Sequence, residues 1–143
     1  MFAPSQEQVR QFFCEAWSKH QAGQPLTPLE AQAADWIVEH PEYHPDLADV
    51  EAAIARQYTV EEGRTNPFLH LSMHLSITEQ VSIDQPRGVK QAVQLLAHKL
   101  NSVHEAHHVA MEALGEMVWE AQRAGTPFDG HAYIDRLQMR ATR

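Results

Sequence analysis

Cysteine is nearly missing from this chain: Cys14 stands alone among 143 residues. One thiol makes no internal disulfide and excludes a thiolate zinc site of the finger type. It lies beside Phe12, Phe13 and Trp17, where a small buried apolar residue is the expectation. Basic residues are scarce, 11 against 19 acids, giving a net charge of −8, and they form no run. Nucleic acid and anionic membrane surfaces are therefore poor partners. No apolar run approaches the roughly 20 residues of a membrane span. The opening MFAPSQEQVRQFF has neither the charged nor the apolar region of a signal peptide, so a cytoplasmic protein is expected. Period-two alternation is absent too, and with it any convincing strand. There is no internal repeat and no low-complexity tail.

What is present is helical pattern. Ser5 with Gln8, and Thr27-Pro28 with Glu30, have the spacing of capping boxes that open two helices. The first carries Val9, Phe12, Phe13, Ala16 and Trp17 on one stripe and ends at Gly23. The second runs to about His40, before Pro41. HPEYHP, residues 40–45, reads as a turn. A short helix is expected over about 46–58, a fourth from Asn66-Pro67 to about Val81, and a break at SIDQPRG. A fifth follows with Val89, Ala92, Val93, Leu96 and Leu100 on one face. A sixth spans about Ser102 to Ala124, closed by Gly125 and Pro127, and a terminal helix starts near Asp129. The expectation is one all-α domain over residues 1–143, an antiparallel helical bundle of about four main helices plus short extra ones.

Histidine is abundant, with ten copies, and three pairs stand four apart: His40/His44, His70/His74 and His104/His108. Chance spacing predicts fewer than one such pair. Residues four apart stack on one helix face, because each residue advances the helix by about 100°. On the fourth helix His70 and His74 fall on the same side as Ile77 and Val81, so this pair shares an apolar face. Glu79 falls on the side opposite His70 and is rejected as a co-ligand. On the sixth helix His108 follows His104 by one turn, and Glu112 follows by another, at the border of the same face. Glu105, Glu116 and Glu120 form an acidic stripe that reads as solvated, with Glu116 the weaker ligand candidate. His107 falls off the pair, on its other side.

Imidazole and carboxylate together suit a borderline or hard metal ion. The ligand set read from the sequence is His70, His74, His104, His108 and Glu112, with His44, His40, Glu30 and Glu116 as lesser candidates. Pro41 and Pro45 disturb helical geometry at His40 and His44, whose bland role is hydrogen bonding to the last carbonyls of a helix. The bland role of Glu30 is the capping acid of Thr27. Iron, zinc or manganese fits such N/O donors, and no soft thiolate set argues for copper(I). No separate nucleophile or general base stands out. The competing expectation is an interaction module with core histidines, no metal and an acidic surface for a partner protein. An apolar helix face serves a homodimer as readily as a core.

The segments MFAPSQEQVRQFF, LTPLEAQAADWIVEHPEYH, TNPFLHLSMHL, EQVSIDQP and LGEMVWEAQR, in that order, resemble a bacterial family of short uncharacterised proteins, domain of unknown function 1841. The resemblance spans nearly the whole chain. It implies that TPLE, HPEYH and the two helical histidine pairs are family features, and it implies no activity. The family segment often reads HDAEH where His104 and His108 stand, so His107 replaces an acid. More loosely, the chain is similar to hemerythrin-like carboxylate–histidine bundles, although the order of ligands differs and paired ExxH motifs are lacking.

Overall fold

The capping boxes form as the spacing predicts. In the computed structural model, which describes residues 5–63 and 65–142, Ser5 Oγ accepts from the Gln8 amide while Gln8 Oε1 accepts from the Ser5 amide. This opens α1, Gln6–Gln21. Thr27 and Glu30 make the same reciprocal pair at the start of α2, Pro28–Val38. Each cap satisfies helix-end amides and contributes roughly 1 kcal/mol.

HPEYHP is more ordered than a turn. Pro41–Leu47 winds as a 3₁₀ helix with prolines at its first position and inside it. The short helix expected over 46–58 is trimmed at both ends. Asp49, in extended backbone, accepts from the Glu51 and Ala52 amides, so α3 begins only at Val50 and ends at Ala55. A second 3₁₀ turn, Val60–Glu62, follows. Asn66 Oδ1 caps α4, Pro67–Ile83, which extends slightly beyond the expected end. Asp84 Oδ1 accepts from the Gly88 and Lys90 amides and so feeds the chain into α5, Val89–Leu100. Ser102 caps α6, Val103–Ala124. Gly125, at φ +70°, closes that helix in the left-handed conformation a glycine adopts without strain. Asp129 caps α7, Gly130–Thr142. Among the described residues there is no strand, and no helix is long and apolar enough to cross a membrane.

The chain divides into two compact units, Met1–Leu75 and Ser76–Arg143, with the boundary inside α4. In the first, α1 packs on α2 and α3, and the Pro41–Leu47 turn packs on all three. Phe13, Trp17, Ile37, Leu47, Phe68 and Leu71 form its core. Each large apolar side chain buried there is worth roughly 1.5–3 kcal/mol. Arg10 is buried in the same unit, unlike most arginines. Its guanidinium donates to the carbonyls of Ala53 and Arg56 at the end of α3, and it lies 5.4 Å from the ring centres of Tyr58 and Phe68. In the second unit α5, α6 and α7 pack pairwise. Small residues on α6, Ala106, Ala110 and Ala113, face a core built with Val93, Leu96, Tyr133 and Leu137. The Tyr133 hydroxyl donates to Gln80 Oε1 at 2.9 Å. Burial raises the pKa of that phenol.

Candidate metal centre

Three imidazoles converge in the first unit. His70 and His74 sit one turn apart on α4, with ring centres 4.8 Å apart and their Nε2 atoms at 3.2 Å. His74 is fully buried. The Trp36 indole, from α2, covers one face of its ring at 4.0 Å and 21°. His40 is buried where α2 gives way to the 3₁₀ turn, its ring centre 4.8 Å from that of His74 and 5.0 Å from that of His70. Tyr43 lies parallel to it at 5.2 Å. One ring nitrogen of His40 and one of His74 are within 4.8 Å of each other.

The backbone dictates how His40 presents itself. Its Nδ1 stands 2.6 Å from the Trp36 carbonyl oxygen. A carbonyl can only accept, so Nδ1 carries the proton, and in the neutral ring Nε2 is the acceptor atom. This is the second-shell arrangement that orients a metal-binding histidine. His44 does something else. Its Nε2 donates to the Ile37 carbonyl at 2.9 Å, and its ring stacks on Trp17 at 4.4 Å. It therefore holds the end of α2 in place.

In the second unit His104 and His108 stand one turn apart on α6, ring centres 4.5 Å apart, with a nitrogen of each within 4.8 Å of the other. Glu105 Oε1 lies 3.7 Å from His108 Nδ1. His107 is the buried member of this group. Burial, with the neighbouring His104 and His108 adding to it, pushes its pKa down to about 4. The carboxylates here serve α7. Glu112 is exposed and accepts from Arg140 at 2.8 Å, which holds that guanidinium above its ordinary pKa. Glu116 and Glu120 both accept from Arg136. Back in the first unit, Glu30 caps Thr27 and accepts from Lys19 at 2.8 Å. The Lys19 ammonium, then the Thr27 amide, hold its carboxyl below the usual range.

His70 with His74, and His104 with His108, thus share a helix face as their spacing predicts, and His40 joins the first pair. Glu112, Glu116 and Glu30 are each engaged by a basic side chain. Reading the sequence missed Trp36, which stands four residues before His40 and was legible as a helical step. Glu105 is exposed, as the acidic stripe predicts.

Among known proteins, no curated protein and no solved structure matches the chain. The family model for a domain of unknown function, DUF1841, matches residues 5–139, nearly the whole length, and the protein belongs to that family.

Proposed function

We propose that this is a metal-binding protein whose ligands are its clustered histidines. The donors are His40, His70 and His74 in the first unit and His104 and His108 in the second. The observation that carries the reading is the convergence of three imidazoles around buried His74, at ring-centre distances of 4.8–5.0 Å. Imidazoles gathered at this spacing can share one ion. Glu112, Glu116 and Glu30 are left out of the ligand set because each already pairs with Arg140, Arg136 or Lys19. Iron, zinc and manganese are the ions in view. Cytoplasmic residence belongs to this reading, and the lone buried cysteine makes no internal disulfide.

The test is titration of metal-free protein with zinc, ferrous and manganous ions, alongside two double variants, His40→Ala/His74→Ala and His104→Ala/His108→Ala. Binding weakened in either variant supports the proposal. Binding lost in only one assigns the site to that group. Folded wild-type protein that takes up none of the ions refutes the proposal. The second reading, core histidines with no metal, is favoured at one residue by a specific observation: the bond from His44 to the Ile37 carbonyl, and His44 is assigned that role.

A further inference from the structure

Resting on the metal reading, the donor set says which class of ion is held. We infer that the histidines take zinc or a late transition neighbour, Co²⁺, Ni²⁺ or Cu²⁺, through neutral Nε2 donors, and discriminate against the hard ions Mn²⁺, Mg²⁺ and Ca²⁺.

Hard cations need oxygen, above all carboxylate oxygen. The carboxylates that the sequence offers as ligands are committed elsewhere. Glu112 and Glu116 bind Arg140 and Arg136 on α7, and Glu30 binds Lys19 and the start of α2. Soft thiolate is absent from the set as well, since the only cysteine, Cys14, is buried and is not among the clustered donors. What is left is imidazole, and imidazole sites follow an affinity order that rises from manganese to copper and stays high at zinc.

Two geometric details point the same way. The Nε2 atoms of His70 and His74 are 3.2 Å apart. Two nitrogens bound to one tetrahedral zinc at about 2.0–2.1 Å stand about 3.3 Å apart, so an ion that displaces the proton shared in this hydrogen bond meets the pair at the spacing of one tetrahedral edge. The proton on His40 Nδ1 is fixed by the Trp36 carbonyl, and Glu105 lies on the Nδ1 side of His108. The hydrogen bond on His40 favours Nε2 as its ligating atom and raises its basicity. Trp36 therefore acts twice as a positioning residue, by its carbonyl on His40 and by its indole on His74.

The experiment measures zinc and manganese affinity on the same metal-free protein, by competition with a chromophoric chelator. Wild type, His40→Ala, His74→Ala and Glu112→Gln are compared, and Co²⁺ absorption reports the ligands. The expected result is zinc bound at least about 100-fold more tightly than manganese. His40→Ala or His74→Ala should weaken zinc by about tenfold or more and alter the cobalt bands, while Glu112→Gln changes neither. Manganese bound as tightly as zinc, and lost in the histidine variants, would overturn the ion class and leave the metal reading standing. Absence of binding by either ion, in protein with native circular dichroism, overturns both. Zinc binding indifferent to His40→Ala and His74→Ala overturns the inference, because the donor atoms argued for it lie on those residues, and leaves the metal reading to His104 and His108.

Discussion

Replacing Arg10 by methionine should destabilise the first unit by about 3 kcal/mol, chiefly by stranding the buried Ala53 carbonyl and the half-buried Arg56 carbonyl. The side chain is buried, and its guanidinium donates to two carbonyls at the end of α3 while lying against the rings of Tyr58 and Phe68. A hydrogen bond from a charged donor is worth about 1.5–3 kcal/mol, and the cation–ring contact adds about 0.5–2. Those gains are offset in part by the cost of desolvating the charge, which methionine does not incur. Methionine retains much of the apolar volume, so the loss falls chiefly on the Ala53 and Arg56 carbonyls. Arg10→Lys keeps the charge but not the planar fork, and should lose about half as much. Urea denaturation at pH 7 on metal-free protein, read as a change in midpoint at constant slope, measures both. Because α3 packs on the Pro41–Leu47 turn beside His40, Arg10→Met should also weaken zinc binding, by less than His40→Ala does. A methionine variant within about 0.5 kcal/mol of wild type would refute the reasoning, since the two carbonyls would then be satisfied without Arg10.

Acid should destabilise the metal-free protein through His107. Unfolded, this histidine takes up a proton near pH 6.5; folded, it stays neutral until about 4. The unfolded chain binds more protons in that window, so the contribution is fully present above 6.5, shrinks as pH falls, and is gone below about 4, amounting to at most about 3 kcal/mol. His107→Gln should flatten that part of the pH–stability curve, measured by denaturation from pH 4 to 8. Tyr133→Phe removes the donor to Gln80 and should cost about 1–2 kcal/mol in the same assay. Thr27→Ala opens the capping box and should lower the melting temperature by an amount equivalent to about 1 kcal/mol.

Local chemistry was the legible part. Ser5/Gln8 and Thr27/Glu30 announced two helix starts because a capping box needs only four consecutive residues. The role of Glu30 as a capping acid, and that of His44 as a donor to the last turn of α2, were readable for the same reason. HPEYHP showed its prolines but not that they would wind into a 3₁₀ helix, and Asp49 was overlooked as the cap that shortens α3. The buried stripe of α6 runs through Ala106, His107, Ala110, Met111, Ala113 and Met117, where small residues let α5 and α7 approach. Pairing over long sequence distance was beyond reach. Nothing local in Glu112 or Glu116 says that Arg140 or Arg136, on a different helix far along the chain, will claim it.

The most direct test is elemental analysis of untagged protein purified without chelator, beside the His70/His74/His104/His108→Ala variant. The account predicts near-stoichiometric metal, predominantly zinc, in the wild type and none in the variant. Metal-free, folded wild type that takes up no added zinc would contradict it.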